Sequence, residues 1–128
     1  MTVVHFLRHG EVFNPEKILY GRMPGFKLSA RGLEMAERIS QWGSDRPIAQ
    51  IYASPLERAQ QTATPIAKKK DLPITTDVRL IEAANIFEGK TFEVGSGVLL
   101  RPNSWKYLWN PWRPSWGEPY SELVDRMT

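Results

Sequence analysis

Residues 3–11 read Val3-Val4-His5-Phe6-Leu7-Arg8-His9-Gly10-Glu11. Val3 to Leu7 is a nearly continuous apolar run, the pattern of a strand covered on both faces, as in a parallel sheet. The run stops at an arginine, a histidine and a glycine. That trio is what phosphoryl transfer through a histidine nucleophile needs. The imidazole attacks, a guanidinium grips the phosphate oxygens in a planar fork, and glycine lets the backbone come close.

Outward from this stretch, the chain alternates. A loop rich in Gly, Pro and Asn covers Gly10 to Lys27, and Ser29 is placed to cap a helix over about Ala30 to Trp42. Leu33, Ala36, Ile39 and Gln41-Trp42 would form its apolar stripe, and Gly43 would end it. Ile48 to Ala53 reads as a second buried strand. Ser54-Pro55 is a cap followed by proline at a first helical position, so a second helix should run to about Lys70. Pro65 inside it predicts a kink or a break. Leu72-Pro73-Ile74-Thr75 reads as a short strand near the sheet edge, given its proline. Strand, helix, strand, helix, strand is the order of a mostly parallel, doubly wound α/β sheet with helices on both faces. Sites in such sheets lie beyond the carboxyl ends of the strands. His9 follows the first predicted strand and Arg58 the second, so neighbouring strands would bring both to one mouth.

The bulk figures narrow the classes. At 128 residues the chain reads as one domain. Hydrophobic content of 41% with 24% charged residues excludes a disordered chain and suits a globular one. No cysteine is present, which excludes disulfides and thiolate metal sites. The two histidines form no His-x-x-x-His cluster, so no metal and no cofactor are expected. The apolar start is too short for a signal sequence and nothing later approaches membrane-spanning length, so a cytoplasmic protein is expected. A net charge of +3 suits a small anionic ligand, a phosphomonoester or a phosphate ion. Nucleic acid is not expected as a partner. The only basic run, Lys68-Lys69-Lys70, falls at a predicted helix end, where it complements the dipole.

From Glu82 onward the alternation weakens. Four of the five tryptophans lie between Trp105 and Trp116, with Pro102, Pro111, Pro114 and Pro119 interleaved. Residues 94–119 read as an irregular flap. Its rings either fill a satellite core or form a lid that selects substrate. Gly117-Glu118-Pro119-Tyr120-Ser121-Glu122 then resembles the start of a helix.

Ser54-Pro55-Leu56-Glu57-Arg58-Ala59-Gln60-Gln61-Thr62-Ala63, taken with Arg8-His9-Gly10, resembles the histidine phosphatase superfamily, also called phosphoglycerate mutase-like. The resemblance covers about two thirds of the chain and implies that family's α/β fold. It implies that His9 is transiently phosphorylated and that Arg8 and Arg58 clamp the phosphate. Asn14 is similar to a loop asparagine that touches substrate. Gly21-Arg22, followed by Leu28-Ser29-Ala30-Arg31-Gly32, is similar to the family's glycine-arginine loop and first helix. Glu82, in Arg79-Leu80-Ile81-Glu82, resembles the acid/base carboxylate, and Ile86-Phe87-Glu88-Gly89 the aromatic-Glu-Gly that follows. The interval between them is one residue shorter than usual and lacks a glycine. Glu11 is the runner-up carboxylate. Each role has a plainer alternative: a strand-end histidine bonded to backbone, an exposed first-turn arginine beside Glu57, a solvated loop carboxylate at Glu82.

The resemblance also implies a second phosphate-binding histidine on a late strand. No histidine follows His9. His5 does not replace it, because four strand residues carry its backbone ~13 Å from that of His9, toward the wrong end. His5 is expected as a core or edge residue of the first strand. The chain therefore reads as incomplete at its C-terminus, leaving a sheet edge for an oligomer or a partner to cover. Three functions follow: a phosphomonoesterase, a phosphoglycerate mutase-type phosphoryl transferase, and an inactive phosphate-binding relic.

Overall fold

Helix α1 spans Ala30–Ser44 and begins where the sequence places a cap: Ser29 is extended, and its Oγ accepts the N–H of Gly32. The computed structural model describes residues 1–82, 88 and 120–127. Strand β1 (Ile51–Ala53) and helix α2 (Glu57–Lys70) follow, then strand β2 (Ile74–Thr76), a 3₁₀ turn (Val78–Leu80) and helix α3 (Tyr120–Met127). These residues group into two compact units. One comprises Met1–Phe13 with Phe26–Asp77, the other Asn14–Gly25 with Val78–Thr128.

In the first unit, β1 and β2 pair in parallel, with Ile51 opposite Ile74 and Ala53 opposite Thr76. Pro73 lies just before β2, so its missing N–H costs no ladder bond. Helix α2 connects the two strands, the right arrangement for a parallel crossover. It starts at Glu57, two residues after Pro55, so Ser54 and Pro55 do not take the cap and first helical positions expected of them; the extended Leu56 stands at the N-cap and makes no side-chain cap bond. It runs through Pro65 without a break, and Asp71 closes it in the left-handed region at φ 53°.

The face on which α1 packs keeps only Ala36 of the stripe read from the sequence. Its buried positions are Gly32, Ala36, Ser40 and Gly43, while Leu33 and Trp42 are exposed. Gly43 is part of the helix and not its stop. A Cβ there would lie 2.4 Å from Ile66 Cδ1, so α1 and α2 approach too closely for larger side chains. Two lysines of the basic run tie the same helices together. Lys69 Nζ lies 2.6 Å from Glu37 Oε1, and Lys70 Nζ donates to the carbonyls of Ser44 and Arg46 at the end of α1. Cations there satisfy carbonyls left open by the last turn.

Val3 to Leu7 departs from expectation. The run is not a strand, and Val3, Val4, Phe6 and Leu7 are exposed, Phe6 to 87%. Among the described residues, β1 and β2 pair only with each other, and an apolar run becomes a strand only when a neighbour supplies its ladder. His5 is likewise exposed, its ring edge-on to Trp42 with centroids 5.2 Å apart.

In the second unit, α3 begins at Tyr120, within the predicted helix start. Residues 94–119, the predicted flap, lie outside the described residues.

Candidate active site

The loop that carries His9 is clipped to the start of α1. The backbone N–H of Ser29 donates to the Glu11 carbonyl at 2.9 Å, and Ser29 Oγ donates to Glu11 Oε1 at 2.7 Å. Gly32 lets the two segments touch: a Cβ there would lie 2.0 Å from the Glu11 carbonyl oxygen. Val12 bridges Leu28 in antiparallel fashion, and Leu28 N–H donates to Gln61 Oε1 of α2 at 2.8 Å. The His9 loop is therefore tied to both helices of its unit. The carboxylate of Glu11, the runner-up acid/base, is engaged with Ser29 and lies 3.8 Å from Arg31.

His9 is half-buried, and its Nδ1 lies 2.9 Å from the Gly10 carbonyl oxygen. A carbonyl only accepts, so the proton of a neutral ring sits on Nδ1. Nε2 then carries the lone pair. A neutral imidazole held in this tautomer is a nucleophile at Nε2.

Arg58 is the largest fully buried side chain among the described residues, 1% exposed in the first turn of α2, beyond the carboxyl end of β1. Arginine is almost never buried to this degree without a purpose. This burial is at odds with the plainer alternative of an exposed first-turn arginine. Arg8 is exposed. Arg8, His9 and Arg58 thus all belong to the first unit.

Asn14, Arg22 and Glu82 belong to the second. The Asn14 side chain closes a turn, its Nδ2 donating to the Ile18 carbonyl at 2.7 Å and its Oδ1 accepting the Ile18 N–H at 3.0 Å. One amide hydrogen is left beyond this clamp. Arg22 Nε donates to the Glu82 carbonyl at 2.5 Å. Just ahead of Glu82, Arg126 of α3 donates to the carbonyls of Arg79 and Ile81, both at 2.6 Å. Glu82 is exposed, while its own carbonyl and that of Ile81 are each held by an arginine. Sequence reasoning passed over three residues that hold this machinery: Ser29 as a clamp on Glu11, Gln61 as a clamp on Leu28, and Glu88. All three lie in stretches that resemble the family, Ser29 within Leu28–Gly32, Gln61 within Ser54–Ala63 and Glu88 within Ile86–Gly89, but none of them stands out there as a clamp.

Among the described residues, no group of three or more His, Asp or Glu side chains could hold a metal ion, and no helix is long and apolar enough to cross a membrane.

The sequence signature of the histidine phosphatase superfamily (branch 1) matches residues 4–128. The chain belongs to this superfamily. It is 53% identical to an uncharacterised protein of Mycobacterium tuberculosis over 127 residues, 99% of this chain and 63% of that protein. It is 34% identical to the 2,3-bisphosphoglycerate-dependent phosphoglycerate mutase of Thermoplasma acidophilum over 83 residues, 64% of this chain and 42% of the mutase. The crystal structure of the α-ribazole phosphatase from Shigella flexneri superimposes with a TM-score of 0.71 at 27% identity, covering 94% of this chain and 60% of that one. The α/β histidine phosphatase fold is thereby established for this chain. The chain spans less than two thirds of the length of each of these three proteins.

Proposed function

We propose that this chain is the phosphoryl-transfer part of a phosphomonoesterase working through a phosphohistidine on His9. The observation that carries the reading is the Nδ1–H bond of His9 to the Gly10 carbonyl, which leaves Nε2 as the attacking atom. Nε2 displaces the ester oxygen from phosphorus, and Glu82 gives its proton to the departing alkoxide. Water then attacks the phosphohistidine. Glu82 takes back a proton, inorganic phosphate leaves, and the imidazole is restored. Arg8 and Arg58 stabilise the charge on the equatorial oxygens, with Asn14 and Arg22 as further contacts to the phosphate. The scheme needs no metal or cofactor. The substrate is a small phosphomonoester, and cytoplasmic placement is part of the same proposal.

The mutase named among the relatives supports a second reading, in which the phosphoryl group returns to another hydroxyl. The test is inorganic phosphate release from an aryl phosphate by this chain and its His9→Ala variant. Turnover that disappears in the variant supports the phosphatase. Turnover that requires an added bisphosphate points to the mutase. Phosphate binding without turnover marks a binding module, and turnover that survives in His9→Ala overturns the phosphohistidine.

A further inference from the structure

The second unit contains a small lock around Arg22. The backbone N–H of Arg22 donates to Glu88 Oε1 at 3.0 Å, and the Arg22 side chain donates to the carbonyl of Glu82. One residue is therefore bonded to both Glu82 and Glu88, sixty or more positions away in the chain. Gly21 supplies the space. It is buried with φ +41°, and a Cβ there would lie 2.1 Å from Glu88 Oε1. The Glu88 carboxylate stands where a side chain of residue 21 would be. Only glycine both adopts this backbone and leaves that room.

We propose that Glu88 is a positioning residue that holds the Gly21–Arg22 turn and thereby sets Arg22 against Glu82. It does so without touching substrate. A carboxylate suits the task because an ionised acceptor makes a stronger bond to a backbone N–H than a neutral one. Half-burial of Glu88 shields that bond from competing water. With the Arg22 backbone fixed, its guanidinium has fewer conformations to lose when it meets an anion. The inference rests on the phosphoryl-transfer reading, which makes Arg22 a phosphate contact and Glu82 the acid/base.

Two measurements on this chain separate the inference from the reading beneath it. One is amide hydrogen exchange at Arg22, and the other is affinity for inorganic phosphate. Glu88→Ala should speed exchange at the Arg22 amide and weaken phosphate binding, each by about tenfold. Arg22→Ala should weaken phosphate binding to the same extent, and the double variant no further, because both changes break one unit. Glu88→Gln keeps an acceptor oxygen and should restore most of both properties. Gly21→Ala should behave as Glu88→Ala, since its Cβ displaces the carboxylate. Unchanged exchange at Arg22 in Glu88→Ala overturns the lock. Faster exchange with phosphate affinity intact, or losses that multiply in the double variant, overturns the positioning role. If the wild-type chain binds no phosphate while Glu88→Ala still opens the Arg22 amide, the phosphoryl-transfer reading fails. The lock then remains as a fold element only, and its positioning role falls with that reading.

Discussion

The imidazole Nδ1 of His9 is hydrogen-bonded to the carbonyl of the next residue, Gly10, at 2.9 Å. A bond to an adjacent carbonyl sets the tautomer locally, without help from a distant side chain. Nitrogen-15 spectra of the neutral ring should therefore show a proton on Nδ1 and none on Nε2. A phosphorylated His9, if trapped, should carry its phosphate on Nε2. Phosphate on Nδ1 would mean that the Gly10 contact breaks before the chemistry.

Two glycines of α1 make a ranked prediction. A Cβ at Gly32 meets the Glu11 backbone oxygen, whereas a Cβ at Gly43 meets the tip of Ile66. Backbone cannot give way as a side-chain tip can. Gly32→Ala should lose about 1–3 kcal/mol through overpacking, outweighing the gain of up to ~1 kcal/mol from a better helix former. Gly43→Ala should cost less. Urea unfolding of both variants measures the order, and an equal or reversed ranking would show that the Glu11–Gly32 contact is not tight in solution. Gly32→Ala should also disturb phosphate binding, since the displaced loop carries His9.

Arg58→Lys tests whether the buried guanidinium serves the anion. Lysine keeps the charge and most of the stem but loses the planar fork. Turnover of an aryl phosphate should fall by about 10²- to 10³-fold, with far-ultraviolet circular dichroism unchanged. Retained turnover would assign Arg58 to packing alone.

The hydrogen bond from Lys69 holds the Glu37 carboxyl below its usual pKa. A carboxyl depressed by folding adds stability that is present above its unfolded pKa and is lost as pH falls through the folded value. The melting temperature of wild type should exceed that of Lys69→Met at neutral pH, and the gap should close toward acid. Both side chains are only partly covered, with a third of Lys69 and half of Glu37 open to water, so the gap should be small. A carboxyl titration of Glu37 that is the same in both proteins would sink the assignment.

Much of this architecture was legible in the local pattern. Ser29 reads as a cap because a hydroxyl before a helix can accept one of its open N–H groups, and it does. Arg58 was legible because Ser54-Pro55 announces a helix just after a strand, which places residue 58 in the first turn. The small-residue face of α1 was not. Leu33 and Trp42 carry more apolar area than Gly32 or Gly43, yet the close approach of α2 rewards the smaller side chains.

Sequence alone determined what is set within a few residues: the Ser29 cap of α1, the order β1–α2–β2, and the Arg8-His9-Gly10 and Arg58 motifs that carry the family. These depend on backbone groups and side chains that meet their partners nearby. Tertiary structure decided the rest. Val3–Leu7 has the composition of a strand but gains one only where another strand offers hydrogen bonds. Arg22 meets Glu82 and Glu88 only after more than fifty intervening residues have folded back. Such contacts depend on where the chain returns in space, which no local spacing encodes.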